Sequence, residues 1–125
     1  MSQFGSREDD KNKVVSSLTQ VEARSAICRL RRSKLLSPAQ ASIALDSLER
    51  EIQRMSEQQV TPMVLDTAKI IVDRHHLRAL DAIQLGCAIV ARDSTVAREM
   101  RFIASDKELL EAAQVEGFDV WDPSA

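Results

Sequence analysis

The chain has 125 residues, 44% of them hydrophobic and 29% charged, with a net charge of −2 at neutral pH. These values suit one globular domain with a sizeable core, and they exclude a global electrostatic drive towards nucleic acid or anionic membrane; any polyanion contact has to come from a local patch. No stretch approaches the ~18 apolar residues that span a bilayer, and no signal-peptide pattern is present, so a cytoplasmic location with no membrane partner is expected.

Residues 1–12 are polar and without periodicity, and they read as a frayed tail or short surface turn ahead of a domain covering 13–125. Val14-Val15-Ser16-Ser17-Leu18 is a β-branched run that predicts a strand. Thr19-Gln20-Val21-Glu22 matches a T-x-x-E capping box and predicts a helix to about Arg32. Ser37-Pro38 opens a second helix, whose Ala41, Leu45, Leu48, Ile52 and Met55 recur at steps of four and three as one buried stripe. A third helix follows Thr61-Pro62 and buries Val64, Ala68 and Ile71, with His75 next on that face. From Asp81 to about Arg92 a helix runs apolar nearly all round, which places it inside. After the polar loop Asp93-Ser94-Thr95, Arg101-Phe102-Ile103-Ala104 predicts a second strand. Ser105-Asp106-Lys107-Glu108 is another capping box, opening a helix through Val115 that stops at Gly117. Phe118-Asp119-Val120-Trp121 alternates as an edge strand does, and Asp122-Pro123 ends it. Strands separated by helices predict an α/β fold with a parallel sheet.

Asp81 heads ten residues without formal charge, Ala82 to Ala91, so its carboxylate sits at the edge of a core, where charge is costly unless paired. Glu22 and Asp106 also stand where a strand hands over to a helix. Each has an ordinary explanation as a capping-box or helix-dipole residue. Together they point elsewhere: in an open α/β sheet, ligands bind beyond the carboxyl ends of the strands. Carboxylates converging there make a hard-oxygen site of the kind Mg²⁺ or Mn²⁺ prefers.

Three blocks of the chain resemble successive blocks of the PIN-domain family, most of all its VapC-type toxin branch. They are Val14-Val15-Ser16-Ser17-Leu18-Thr19-Gln20-Val21-Glu22-Ala23-Arg24-Ser25-Ala26, then Leu77-Arg78-Ala79-Leu80-Asp81-Ala82-Ile83-Gln84-Leu85, then Phe102-Ile103-Ala104-Ser105-Asp106-Lys107-Glu108-Leu109-Leu110. With the closing Gly117…Asp122-Pro123, the resemblance covers residues 13–123, and Leu-Arg-Ala-Leu-Asp-Ala is its most specific part. The resemblance implies a PIN-like three-layer α/β domain, its short parallel sheet flanked by helices. It also implies an endoribonuclease dependent on Mg²⁺ or Mn²⁺ that hydrolyses RNA phosphodiester bonds, often a homodimer and often neutralised by a small antitoxin protein. On that pattern Glu22, Asp81 and Asp106 are the catalytic and metal-binding acids.

The chain departs from the family at its start, where a short hydrophobic strand bearing an aspartate is usual. Phe4-Gly5-Ser6-Arg7-Glu8 looks like the segment that follows that strand's helix, so the domain reads as N-terminally truncated, unless its start codon is mis-assigned. Asp9 or Asp10 is a poor substitute in so polar a setting. The absent strand usually lies mid-sheet, so the strands flanking it are expected to pair directly or to receive a second chain. The departure also raises a rival of another class, a catalytically impaired PIN-like module that binds or dimerises.

Other features carry less. Arg24, Arg29, Arg31, Arg32 and Lys34 form a basic stretch that reads either as a solvated helix end or as an RNA-phosphate contact. His75 and His76 are adjacent on a helix and point about 100° apart, poorly placed to share an ion. Ser16, Ser17 and Ser105 have no evident histidine partner. Aromatics make up 3% of the chain, too few for base-stacking platforms. Cys28 and Cys87 lack metal-ligand spacing and read as free thiols in a reducing compartment.

Overall fold

A computed structural model describes residues 3–5, 13–94 and 100–123. Five strands and five helices follow in the order β1 (Gln3–Gly5), β2 (Lys13–Ser16), α1 (Ser17–Arg32), α2 (Pro38–Gln53), β3 (Ser56–Gln58), α3 (Pro62–Arg74), α4 (Ala79–Asp93), β4 (Arg101–Ile103), α5 (Lys107–Val115) and β5 (Asp119–Trp121). The sheet has the order β3-β2-β1-β4-β5. β2 pairs parallel with β3, and β4 parallel with β5, while β1 runs antiparallel to both β2 and β4. Four strands therefore point one way, and the middle strand runs against them.

This corrects two expectations. Residues 3–5, expected within a tail, form the middle strand, with Phe4 in register with Val14 on one side and Phe102 on the other. The two parallel pairs accordingly neither meet directly nor wait for a second chain: this short segment satisfies the facing edges of β2 and β4, whose backbone groups need partners. The remainder of the expected tail, Asp9 and Asp10 included, and Thr95 of the expected loop lie outside the described residues. β3 was not anticipated at all.

Helix starts follow their caps. Ser37 Oγ accepts from the Gln40 amide at 3.1 Å while the Gln40 side chain accepts from the Ser37 amide at 2.9 Å, a complete capping box with Pro38 in the first turn. Thr61 caps α3 through the Val64 amide at 3.2 Å. α1 begins earlier than the T-x-x-E pattern predicts. Ser16 takes the cap, accepting from the Thr19 amide at 3.0 Å, and Thr19 becomes a buried hydroxyl at the third position of the helix, bonded to Ser16 at 3.0 Å. α5 likewise starts one residue later than its capping box implies, with Asp106 rather than Ser105 as cap.

Adjacent β2 side chains leave the sheet on opposite faces. Val14 packs on the main core, which α3, α4, α5 and β4 build around Ile71, Leu85, Phe102 and Leu109. Val15 faces Thr19 and Ala23 of α1 and Leu48, Ile52 and Met55 at the α2 end. The α2 stripe is shallower than predicted: Ala41 is buried, and Leu45, Leu48, Ile52 and Met55 are half-buried. α4 is the centre of the core, with Ala82, Leu85, Gly86, Cys87, Ala88 and Ala91 all buried, as its lack of charge requires. Burial pushes the Cys87 thiol up to about 11, so it packs as a small apolar group. Both cysteines are free. Among the described residues, no helix is long and apolar enough to cross a membrane.

α3 and α4 meet closely at Gly86, where an added Cβ would lie 3.0 Å from the Val64 carbonyl and 3.3 Å from the Ala68 amide. At the far end of α3, Glu116 gathers three partners. Its carboxylate meets Arg74 Nη1 and His75 Nε2, each at 2.9 Å, and its carbonyl accepts from Arg92 Nη1 at 2.7 Å. The Arg92 guanidinium also stacks over Phe118, 4.5 Å from the ring centre. Burial opposes ionisation of Glu116, but the hydrogen bonds and positive charge of His75 and Arg74 outweigh it and hold its carboxyl below the usual range.

Two outcomes follow from this packing. Backbone atoms cannot yield as a flexible side chain does, so Gly86→Ala overpacks the α3–α4 contact and lowers stability by about 1–3 kcal/mol despite its better helix propensity. A urea midpoint equal to or above that of the native chain contradicts this. Glu116 ionises more readily in the fold, so its stabilisation is complete above its ordinary value of 4.5 and is lost as pH falls through the lowered one. Glu116→Gln is therefore less stable at pH 7 by about 1–3 kcal/mol and loses less on acidification to pH 3; equal urea midpoints at pH 7 contradict it.

Candidate metal centre

The strands that share a direction present their carboxyl ends at one edge, and Glu22 and Asp106 follow two strands that end there. β2 ends at Ser16 and passes directly into α1, which carries Glu22. β4 ends at Ile103, and the buried Ala104 and then Ser105 lead to Asp106 at the α5 cap. Asp81 lies in the first turn of α4, whose N-cap residue, Arg78, makes no side-chain cap bond.

The ordinary explanations divide the three acids. Asp106 does cap its helix, its Oδ1 accepting from the Leu109 amide at 3.0 Å, which leaves its second oxygen outside that bond. Glu22 has no capping role, because α1 begins at Ser17 and Glu22 stands more than a turn inside it. Its half-buried carboxylate accepts instead from the Nε2 of Gln84, a contact between α1 and α4. Asp81 and Gln84 are three residues apart on α4 and share a face.

Asp81 and Asp106 line one cleft of about 440 Å³ with Arg78, Lys107 and Glu108. Glu22 is not in that lining. Charge nonetheless joins all three acids: burial raises the Asp81 carboxyl above its ordinary value, the negative charges of Asp106 and then Glu22 raise it further, and Arg78 opposes them. A group of like charges at the edge of a core has this signature, and a cation would relieve it.

Among the described residues, no three His, Cys, Asp or Glu side chains stand close enough together to hold one metal ion. The expected triad is thus clustered electrostatically without being a ready-made ligand set. One further atom bears on the fit. Gln84 is 2% exposed, and its Oε1 is buried with no hydrogen-bond partner. An orphaned neutral oxygen on the amide that touches Glu22 belongs to the same hard-oxygen chemistry as the carboxylates.

Sequence reasoning missed Gln84 and Glu116. Gln84 left a signal, since it is the one amide among the ten uncharged residues behind Asp81 and lies on the Asp81 face. Glu116 left none, because its partner Arg74 is 42 positions away. Of the basic stretch, Arg24 pairs with Glu49 at 3.3 Å with both side chains over half exposed, and Arg29, Arg31 and Arg32 occupy the last turn of α1. Such exposed pairs contribute little. His75 contacts Glu116, which is not one of the three acids.

The raised carboxyl of Asp81 has a measurable sign. Stability tied to its protonated form is complete below the ordinary value of 3.8 and is lost as pH rises through the raised one. Asp81→Asn removes the repulsion, so in the presence of a chelator this variant melts above the native chain at pH 7, by a margin that shrinks towards pH 4. Melting below the native chain at pH 7 contradicts the repulsion. Compared with known proteins, the chain matches no family model and no curated protein sequence.

Proposed function

We propose that the chain is a PIN-like domain of the VapC toxin type, acting as a ribonuclease dependent on Mg²⁺ or Mn²⁺. The observation that carries this reading is the coupling of Asp81 to Asp106 and Glu22 at the edge where the parallel strands end. Three acids from three separate helices meet electrostatically at the place an α/β sheet uses for ligands. The block resemblance of residues 13–123 is its second support.

In this reading Glu22, Asp81 and Asp106 hold the ion. When bound, the ion would polarise a phosphodiester and lower the pKa of a water molecule for in-line attack. The side chains divide the remaining work. Asp106, with one oxygen fixed by the Leu109 amide, holds its carboxylate in a set orientation. Gln84 anchors Glu22 against α4. Arg78 and Lys107 stand at the cleft with the acids and offer positive charge to the RNA phosphates, which the acids alone would repel. Homodimer formation, an antitoxin partner and a cytoplasmic setting belong to the same proposal.

A second reading, a catalytically impaired PIN-like module that binds or dimerises, is favoured by the position of Glu22 outside the cleft lining. The two separate on a common assay. With single-stranded RNA and Mn²⁺, the enzyme cleaves, EDTA abolishes cleavage, and Asp81→Asn or Asp106→Asn lowers the rate by about 10²-fold or more, a barrier increase of ~2.7 kcal/mol. Metal-dependent cleavage at full rate in Asp81→Asn contradicts the nuclease. Absence of cleavage together with no Mn²⁺-induced rise in melting temperature favours the binding module.

A further inference from the structure

We propose that Trp121 is a stacking platform for one unpaired RNA base, at the sheet edge from which Asp106 follows. This rests on the RNA reading above and deepens it by naming single-stranded RNA as the form bound; it requires no metal ion.

Trp121 is the one tryptophan of the chain and is 49% exposed, whereas Phe102 and Phe118 are buried in the core. The sheet decides this. Side chains alternate along a strand, and Phe102 and Val120 pack on the main core, so Arg101, Ile103, Asp119 and Trp121 share the opposite face. α1 and the α2 end cover that face at Val15 of β2. At β4 and β5 it is more open: Arg101 and Ile103 are half-buried, and Asp119 and Trp121 are exposed. The ring is not loose there. The Arg101 guanidinium lies over it, 5.1 Å from the ring centre, which steadies the indole and sets a positive charge against it. An aromatic ring backed by a guanidinium and open to solvent is the kind of surface on which unpaired bases stack. The low aromatic content of the chain excludes an array of such platforms but not a single one.

Register ties the ring to the cleft. β5 runs parallel to β4, with Trp121 opposite Ile103 at the carboxyl ends of both. The Ala104 amide donates to the Trp121 carbonyl at 3.2 Å, and Asp106 follows two residues later. Strands stand ~4.8 Å apart and a residue spans at most ~3.5 Å, so the Cα atoms of Trp121 and Asp106 are no more than about 15 Å apart. Charge sets the direction of the RNA. Asp119 and Asp122 flank Trp121 in the chain and disfavour phosphate there, whereas Arg78 and Lys107 in the cleft attract it. A strand with its phosphates at the cleft can turn one base onto the ring. A protein partner fits this face less well. A stable interface covers about 800 Å² on each side, and a tryptophan supplies about 150–250 Å² of that. Among the described residues, Trp121 is the one exposed large hydrophobic residue that comes from the sheet.

Trp121 reports on itself, because the chain has no other tryptophan and no tyrosine. In EDTA, which prevents metal-dependent cleavage, the full chain is titrated with a single-stranded RNA of eight nucleotides, with its duplex, and with an abasic strand of equal length. Anisotropy of a 5′-fluorescein label reads binding, and Trp121 emission with unlabelled strands reads stacking. The single strand is expected to quench Trp121 as it binds, and the duplex and the abasic strand are not. Trp121→Leu is expected to bind the single strand about tenfold more weakly and Trp121→Phe to recover most of the loss, with the abasic strand bound alike by all three. Native-like binding of the single strand by Trp121→Leu, or its binding to the native chain without quenching, overturns the platform and leaves the RNA reading standing. An equal loss on the single strand and the abasic strand also overturns it, since a purely structural role moves both. No binding of any strand overturns the RNA reading and the platform with it. A blue shift of Trp121 emission on concentrating the chain without RNA assigns the ring to a second copy and overturns the proposal. Should Trp121→Leu fail to fold, the contrast in quenching between single and abasic strands on the native chain decides.

Discussion

The burial of α4 governs the rest of the molecule. A helix apolar on nearly every side has to be enclosed, and the fold encloses it with α3, α5 and the sheet. Its first turn then emerges at the edge where β2 and β4 end, carrying Asp81 with it. Asp81 cannot retreat into solvent without drawing the helix out of the core. The repulsion it meets from Asp106 and Glu22 is thus imposed by hydrophobic packing, whose free energy is much larger than that of a surface charge contact. A core that forces like charges together has made a place where a cation stabilises.

Around that constraint, the contacts that fix the geometry are few. The close approach at Gly86 sets the distance between α3 and α4. The Glu116 cluster joins the end of α3 to the end of α5 and to Arg92 of α4. Gln84 joins α4 to α1. Each acid is thereby carried by an element whose position is set elsewhere, and local side-chain adjustment is left to the site itself.

How much of this was legible in the sequence depended on where the determining interaction lay. Ser37-Pro38 and Thr61-Pro62 marked helix starts correctly because a cap is a contact among neighbours along the chain. The same local signals erred where two caps competed. Ser16 and Thr19 can both open α1, and the parallel pairing of β2 with β3, which extends to Ser16, decides for Ser16. At Asp106 a carboxylate displaced a neighbouring serine for the same role. β1 and β3, three residues each, carry no alternation and owe their existence to pairing partners distant in sequence. Asp106 was legible at a strand-to-helix junction and stands there, whereas Glu22 lies more than a turn inside α1 and Asp81 opens a helix that follows α3 rather than a strand. Their incomplete convergence was not legible, because side-chain distances of ångströms have no trace in residue spacing. The Glu22–Gln84 contact, 62 positions apart, is of the same kind.

The account stands on one divalent ion being held between α1, α4 and α5. Crystals soaked in Mn²⁺ and measured at the manganese absorption edge test this most directly. The proposed function predicts a single anomalous peak in contact with carboxylate oxygens of Asp81, Asp106 and Glu22. A map without a peak between these side chains, or with manganese bound only at some other surface, would contradict it.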